Sequence, residues 1–296
     1  MELKDLEKID TRHMFKTYDQ WPEISIQSYE KKFDKIDIKN IDHIVFAGMG
    51  GSGSLGDTIS AILSKKDIHV TNVKGYLLPK TVDSKTLVVA TSVSGNTSEV
   101  LEILNNVKKT NATAVGFSSG GLLEKFCQNN NIFLQKIPMI HSPRASFTSF
   151  LFSILNILEP VIPIKKNDVH SAISSLEKIK KNIFSENLTD SNKSLELAKF
   201  VRDIICIYYP AGFQAAAVRY KNCLQENAKT HALTEDIIES CHNGIVAWEK
   251  KSIVKPVLIQ GIDDHIKTAE RVTILKKFFN SKEIDYKIIN SVEGTI

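Results

Sequence analysis

The sequence contains no apolar run long enough to cross a lipid bilayer. The longest candidate, Phe147 to Ile164, is interrupted by polar residues and by Pro160 and Pro163, and it predicts a buried helix followed by a connection. The N-terminal segment, Met1 to Asp10, is charged and lacks the apolar core of a secretory signal. We therefore expect a soluble, cytoplasmic protein without a membrane partner.

The sequence also lacks the cysteine spacings that mark disulfide frameworks and zinc sites. Its four cysteines form no CxxC pair, and no group of His, Cys, Asp and Glu residues shows metal-ligand spacing. With no secretion signal, the thiols are expected to be reduced. We predict a protein that holds neither a metal nor a disulfide. The cysteines are Cys127, Cys206, Cys223 and Cys241.

Positively charged residues outnumber negatively charged residues only slightly. The formal net charge is +4, and the lysines are spread along the chain instead of forming a patch, which disfavours nucleic acid as a partner. The residues before His43 are too few and too acidic for a helix-turn-helix module, so a DNA-binding regulator is disfavoured as well. The mild positive excess would help to attract an anionic metabolite.

The sequence does contain an alternation of short apolar strands and amphipathic helices. Strands that are apolar throughout, such as His43–Ala47 and Thr86–Ala90, are typical of a parallel sheet covered on both faces. The alternation resumes in the second half of the 296-residue chain. We predict an α/β fold with two doubly wound parallel-sheet domains. Among the predicted helices are Ser54–Leu63, Asn167–Ser194 and Gln214–Lys229.

Two prolines, Pro160 and Pro163, bracket the predicted domain boundary. We place an N-terminal domain with the phosphate-binding loops at residues 1–160 and a C-terminal domain at residues 161–296.

The first candidate motif is glycine-rich and runs from Gly48 to Gly56, between a strand and a helix. Glycines allow the backbone to approach an anion, and a helix N-terminus favours a phosphate. Gly51 to Gly56 also matches GxGxxG, but dinucleotide sites need an acidic residue about 20 residues further on. That region supplies Lys74 instead, so a nicotinamide cofactor is disfavoured. A tight turn that binds no ligand is the alternative.

The second motif, Ser92-Val-Ser-Gly-Asn-Thr-Ser-Glu99, also lies between a strand and a helix. Hydroxyl and amide groups without a lysine suit a phosphate monoester, and the Walker pattern is absent. The alternative is that Asn96 or Thr97 only caps the following helix. We predict a phosphate cradle formed by both motifs. Its residues are Gly51, Ser52, Ser92, Ser94 and Thr97.

These two motifs resemble the SIS (sugar isomerase) domain. Three later segments narrow the resemblance, namely His141-Ser-Pro-Arg144, Gln225-Glu-Asn-Ala-Lys229 and Cys241-His-Asn-Gly244 with Trp248. Together they resemble the archaeal-type bifunctional phosphoglucose/phosphomannose isomerase family over about residues 40 to 280. The resemblance implies two SIS domains and interconversion of glucose 6-phosphate, and also mannose 6-phosphate, with fructose 6-phosphate through a cis-enediol. It implies no cofactor.

A carboxylate suits the proton transfer of such an isomerase. The proton must move between C1 and C2, and burial can raise a carboxylate pKa towards neutrality for this task. Glu226 is the candidate, and the resemblance assigns it the same role. Judged from the residue alone, an ordinary exposed helical glutamate is the alternative.

Two further catalytic candidates follow from their chemistry and from the resemblance. Arg144 precedes an apolar helix, where its guanidinium could hold the negative charge of the enediolate; a surface arginine is the alternative. His242 could protonate the ring oxygen near neutral pH, and a loop histidine bonded to backbone is the alternative. The resemblance implies a homodimer with shared active sites, because this histidine can come from the neighbouring subunit. The expected substrate is a hexose 6-phosphate.

The C-terminus departs from the pattern that the resemblance implies. The family carries one more helix with a catalytic lysine after the last strand, whereas this sequence ends at Gly294-Thr-Ile296. We therefore expect the second domain to lack that helix. A non-catalytic sugar-phosphate sensor, a pseudoenzyme without that lysine, is the alternative function.

Overall fold

Two parallel β-sheets organise the chain. The computed structural model describes residues 2–292, which divide into two units, the first ending at Glu186 and the second beginning at Asn187. Each unit holds one sheet flanked by helices. The predicted α/β class with two parallel sheets is confirmed.

The sheet of the first unit has five strands in the order β2-β1-β3-β4-β5, and all of its pairs are parallel. β1 and β3 are buried along their whole length, because helices cover both faces of the sheet. The strands are β1 (His43–Ala47), β2 (His69–Val73), β3 (Thr86–Ser92), β4 (Thr113–Ser118) and β5 (Phe133–Lys136). The helices between them are α4 (Gly50–Leu63), α5 (Ser98–Val107) and α6 (Gly121–Asn129).

Further helices precede and follow this sheet. They are α1 (Leu3–Ile9), α2 (Met14–Asp19), α3 (Trp21–Glu30), α7 (Phe147–Ile157) and α8 (Lys166–Ile183). Every residue of α7 is buried, and α3 packs along it. The Trp21 indole donates to the Ala145 carbonyl oxygen at 3.0 Å. The side-chain amide of Asn156 donates from Nδ2 to the Lys31 carbonyl oxygen at 3.1 Å. Helix α3 and the residue after it therefore hold α7 near both of its ends; the sequence patterns did not predict the helices before β1.

Helix α8 belongs to the first unit. Val169 and Ile173 on α8 are buried in the same hydrophobic cluster as Tyr29 of α3 and Phe150 of α7. The first unit consequently extends past residue 160, where we placed the boundary, because the apolar face of α8 is covered by α3.

The sheet of the second unit has four parallel strands in the order β7-β6-β8-β9. One face packs around Trp248 and Phe279, and the other packs around Ile207 and Val257. The strands are β6 (Ile204–Tyr209), β7 (Ala232–Asp236), β8 (Val254–Gln260) and β9 (Lys287–Asn290). The helices are α9 (Lys193–Phe200), α10 (Gln214–Cys223), α11 (Ile237–Ser240) and α12 (Ile266–Ser281), with a π-helical turn at Leu224–Ala228 and a 3-10 helix at Gly244–Glu249.

Several predicted element bounds differ from the structure. The predicted helix Asn167–Ser194 is two helices, α8 and α9, because the chain turns at residues 184–192 and Asn192 caps α9. Helix α4 begins at Gly50 instead of Ser54, so the glycine-rich motif is part of the helix. Helix α10 ends at Cys223 and gives way to the π-helical turn, and β7 was not predicted.

Among residues 2–292, no helix has the length and apolar character that crossing a membrane requires. The prediction that the second domain lacks the family's last helix concerns the end of the sequence. Residues 293–296 lie outside the described residues.

Candidate functional site

Two helices of the first unit begin side by side at the carboxyl edge of its sheet. β1 and β3 are neighbours in the sheet. The chain continues from β1 to β2, on the far side of β1, and from β3 to β4, on the far side of β3, so the two connections diverge. Such a switch point leaves a crevice between the two strand ends where ligands bind in open α/β sheets. Both helix N-termini, those of α4 and α5, therefore direct amide groups and a positive dipole end at one place.

Close backbone packing explains the glycines at the start of α4. A methyl group at Gly48 would lie 2.9 Å from the Ser52 carbonyl carbon, and one at Gly56 would lie 2.6 Å from Phe46 Cβ on β1. The helix thus starts directly against the strand that precedes it. No side chain caps α4 at its N-cap residue, Met49. Its first amide groups are consequently available to an anion.

The second loop is held by its own hydroxyl groups. The hydroxyls of Ser92 and Thr97 are 2.7 Å apart, and the Gly95 amide donates to Ser92 Oγ at 3.0 Å. The Asn96 amide donates to Ser94 Oγ at 3.4 Å. Ser92 is buried and Ser94 is exposed, so the loop turns from the sheet edge towards solvent. These bonds fix the loop conformation before any ligand binds.

Helix capping does not account for this motif. Thr97 occupies the N-cap position of α5, but its side chain makes no capping hydrogen bond. The Asn96 side chain is engaged elsewhere, because its Oδ1 accepts from the Leu122 amide at 3.1 Å. The first amides of α5 therefore have no side-chain cap and can bind a ligand, as the phosphate interpretation requires.

The first unit brings six predicted site residues to one edge. The amide of Val93, next to Ser92, donates to Ser52 Oγ at 3.2 Å and so joins the second loop to the first turn of α4. A methyl group at Gly51 would lie 3.5 Å from the Pro143 carbonyl oxygen and 3.7 Å from Arg144 Cα, so the chain at Arg144 passes beside the glycine-rich motif. The six residues are Gly51, Ser52, Ser92, Ser94, Thr97 and Arg144.

The turn that carries Arg144 is fixed by Ser146. Its hydroxyl donates to the Ile140 carbonyl oxygen at 3.0 Å and accepts from the Ile140 amide at 2.8 Å. Arg144 itself is half-buried. Its backbone passes beside Gly51 at the start of α4, and its guanidinium carries a permanent positive charge.

Two residues near this edge were missed by the sequence interpretation. Lys74 pairs with Asp57 on α4, and the Tyr76 hydroxyl lies 3.4 Å from Ser98 Oγ at the start of α5. Both follow β2, whose carboxyl end reaches the same edge as those of β1 and β3. Their position directly after a strand of the sheet was the available signal, although β2 itself is largely polar and half-exposed.

Glu226 lies in the second unit, in the π-helical turn that follows α10. The Thr230 amide donates to the Leu224 carbonyl at 3.3 Å, and Lys229, at φ +56°, donates from Nζ to the Glu226 carbonyl at 2.7 Å. Such turns widen a helix locally and recur at functional sites. The half-buried Glu226 therefore sits on an unusual but hydrogen-bonded backbone, just before the amino end of β7.

His242 lies beyond the opposite end of β7. It follows α11, which begins directly after the strand, and its amide donates to the Glu239 carbonyl at 2.9 Å. The five residues of β7 alone advance the chain by roughly 13 Å, at about 3.3 Å per residue. Within the second unit, the structure does not bring Glu226 and His242 together.

Among residues 2–292, no group of three or more His, Cys, Asp and Glu side chains is arranged to hold a metal ion.

Two family models match the chain, the SIS domain over residues 37–155 and the bacterial phospho-glucose isomerase C-terminal SIS domain over residues 190–296. A bifunctional phosphoglucose/phosphomannose isomerase of Caldicellulosiruptor bescii is 30% identical over 279 residues, which covers 89% of this chain and 81% of that protein. The chain belongs to the bifunctional phosphoglucose/phosphomannose isomerase family. The resemblance inferred from the motifs is thereby confirmed.

Members of neighbouring families are also similar to this chain. A D-glucosamine-6-phosphate 4-epimerase of Sulfolobus acidocaldarius is 25% identical over 239 residues, covering 80% of this chain and 74% of that protein. The C-terminal domain of glucosamine-fructose-6-phosphate aminotransferase from Francisella tularensis has a TM-score of 0.64 at 16% identity, covering 95% of this chain and 89% of that one. At that identity the structural match shows the fold alone.

A steric test follows from Gly95, which lies at φ +74° in the second loop. A methyl group there would lie 1.7 Å from the Gly120 carbonyl oxygen, whereas one at Gly212, at φ +89°, would meet no atom within 4 Å. Gly212→Ala should lower the free energy of unfolding by about 1–2 kcal/mol through backbone strain alone. Gly95→Ala should lower it by about 3 kcal/mol or more, because overpacking adds to the same strain. Urea unfolding of both variants measures the difference, and equal losses would contradict the packing described here.

Proposed function

We propose that this protein is an aldose–ketose isomerase that interconverts glucose 6-phosphate, and also mannose 6-phosphate, with fructose 6-phosphate through a cis-enediol. The observation that carries the proposal is the hydrogen bond between the Val93 amide and Ser52 Oγ, which joins two uncapped helix N-termini into one anion site. Membership of the isomerase family supports the substrate class.

The phosphate of the sugar binds at the carboxyl edge of the first sheet. The hydroxyls of Ser52 and Ser94 and the first amides of α4 and α5 supply hydrogen-bond donors to its oxygens. Ser92 and Thr97 add one more, because one of their two hydroxyl hydrogens lies in the bond between them. Hydrogen bonds to a charged group are about twice as strong as those between neutral groups. The sugar is therefore held through its phosphate, and its other carbons are left for the chemistry.

Glu226, Arg144 and His242 carry out the reaction in this proposal. His242 gives a proton to the ring oxygen as the C2–O bond of the ring breaks, and the anomeric hydroxyl loses its proton to water as the C2 carbonyl forms. The Glu226 carboxylate then takes the proton from C1 of the ketose, which leaves an enediolate whose negative charge the Arg144 guanidinium stabilises. A proton then moves from the C1 oxygen to the C2 oxygen, and Glu226, whose proton exchanges with solvent, protonates C2 to yield the aldose. The two faces of the intermediate at C2 give glucose or mannose 6-phosphate.

The positions of Glu226 and His242 support active sites shared between two copies of the chain. One residue precedes β7 and the other follows it, so a single second unit holds them at opposite ends of the same strand. Ring opening and proton transfer act on adjacent atoms of one small sugar. We therefore propose a homodimer in which each site takes Glu226 from one copy and His242 from the other.

Loss of the cradle hydroxyls should weaken binding and leave the chemistry. We expect Ser94→Ala with Thr97→Ala to raise the KM for fructose 6-phosphate on the order of 100-fold, since each hydrogen bond to a charged group contributes about 1.5–3 kcal/mol. Ser64→Ala is the matched control, because its exposed hydroxyl bonds only to the Ala61 carbonyl at the end of α4. Steady-state kinetics of the folded variants provide the measurement. An unchanged KM in the double variant would remove these hydroxyls from the site.

Proton transfer can be followed with fructose 6-phosphate in deuterated water. By NMR, the wild-type protein should form glucose and mannose 6-phosphate with deuterium at C2, and Glu226→Gln should lower the rate at least about 100-fold because the base is lost. Glu270→Gln, which changes an exposed carboxylate paired with Lys267 on α12, is the control. Ligand-induced thermal stabilisation should persist in Glu226→Gln. Thermal stabilisation of the wild type by fructose 6-phosphate without turnover would instead favour the non-catalytic sensor. D-glucosamine 6-phosphate is tested as a second substrate in the same assay.

Shared sites predict complementation between inactive variants. A heterodimer of Glu226→Gln with His242→Asn, isolated with two different tags, should recover about half of the wild-type rate because one of its two sites is intact. A heterodimer of the wild type with a chain carrying both substitutions should be inactive. If each site used both residues from one copy, the two heterodimers would show the reverse pattern.

A further inference from the structure

We propose that Glu235, at the carboxyl end of β7, is a positioning residue that sets the place of His242. The inference rests on the proposed function, because it concerns the histidine assigned to ring opening. His242 lies in the loop Cys241–Gly244 between α11 and the 3-10 helix Gly244–Glu249. The side chain of His242 is exposed, so the backbone of this loop decides where its imidazole is presented.

The carboxyl group of Glu235 occupies the space that Gly244 leaves beside its Cα. A methyl group at Gly244 would lie 2.4 Å from one Glu235 carboxylate oxygen, 2.9 Å from the carboxyl carbon and 3.0 Å from the other oxygen. Real Cβ atoms essentially never show contacts under 3.0 Å, so an alanine at Gly244 would force the loop backbone or the flexible Glu235 carboxyl group to move. The loop therefore rests directly on the carboxyl group, two residues after His242.

The other side of Glu235 faces a buried polar pair. Tyr208, the β6 residue paired with Glu235 across the sheet, is only 3% exposed, and its hydroxyl accepts from the Trp248 indole at 3.0 Å. Trp248 belongs to the 3-10 helix that continues from the loop and packs edge-on against Phe279. The half-buried Glu235 thus lies between the Tyr208 hydroxyl and the loop backbone at Gly244.

The beginning of the loop is fixed independently. The Asp236 side chain accepts from the amides of Ile238 and Glu239 and so caps α11. Asn243 donates from Nδ2 to Glu239 Oε1 at 2.8 Å, and its Oδ1 accepts from the Gly244 amide. The capped α11 fixes one end of the loop and Trp248 fixes the other. Between them, the loop backbone at Gly244 contacts the Glu235 side chain, so we infer that this side chain sets the distance between the loop and β7.

The charges that face this loop come from three elements. Glu235 and Asp236 lie on β7, Glu239 lies on α11, and Arg271 lies on α12 close enough to lower the pKa of the Cys241 thiol, which burial raises. Burial raises the pKa of Glu235, the Tyr208 hydroxyl lowers it, and Glu239 raises it further. Tyr208 is protonated throughout the usual pH range, because burial raises its pKa far above the ordinary value.

A double-mutant cycle between Glu235 and Gly244 tests the proposal. Glu235→Ala and Gly244→Ala should each lower kcat about 10- to 100-fold, with the KM for fructose 6-phosphate changed less than about twofold, because the phosphate loops lie in the other unit. The double variant should lose much less than the product of the two effects, since the alanine methyl enters the space that the carboxyl group vacates. Glu235→Gln keeps the shape of the side chain and should retain kcat within about threefold.

A readout without substrate separates this inference from the proposed function. Histidine ring resonances of the free protein are recorded by NMR and assigned to His242 with His242→Asn. Glu235→Ala and Gly244→Ala should each shift the His242 resonances, and the double variant should return them towards the wild type, even if the wild type had no isomerase activity. Additive kcat losses, or His242 resonances that Glu235→Ala leaves unmoved in a folded protein, would overturn the positioning role.

Discussion

The meeting of two helix N-termini at adjacent strand ends is the constraint on which the proposed phosphate site depends. β1 and β3 pair in parallel with His43 opposite Thr86, so their carboxyl ends finish side by side. Each strand is followed by a helix that no side chain caps. Unsatisfied amides and two dipoles at one edge are unfavourable without an anion or water. The hydroxyl groups of Ser92 and Thr97 could have capped α5, but they bond to each other, which keeps the amides open for ligand.

The remainder of the first unit stabilises this edge. Helix α7 is buried on all sides, and the turn before it carries Arg144 past Gly51. That turn stays in place because Ser146 bonds both backbone groups of Ile140 and because Trp21 donates to Ala145. Helix α3, which contains no candidate site residue, thus helps to fix the segment that carries Arg144, and α8 packs against α3.

The direction of β7 has an equally strong effect in the second unit. Because the strand runs parallel to β6, the connection through α10 must return to its amino end, which places the π-helical turn and Glu226 there. His242 comes after the strand and lies at the carboxyl end. A parallel strand therefore separates the two proposed proton-transfer groups, and symmetry between two copies of the chain is a simple way to reunite such groups in one site.

Local sequence patterns determined much of this protein. Apolar strands such as Thr86–Ala90 were identified correctly, since burial on both faces leaves a signal within a few consecutive residues. The two motifs do follow β1 and β3, although the glycine-rich one forms the start of α4, and their phosphate-binding role stays a prediction. β7 was missed because Ala232–Asp236 is a half-exposed edge strand with polar residues, and α8 was assigned to the wrong side of the boundary because only its packing on α3 shows where it belongs. Tertiary structure alone decided that Val93 bonds Ser52, that Arg144 passes Gly51, that Glu226 and His242 lie at opposite strand ends, and that Glu235 lies beneath Gly244. Each of these depends on strand order and register, which bring together residues distant in sequence and so leave no local pattern.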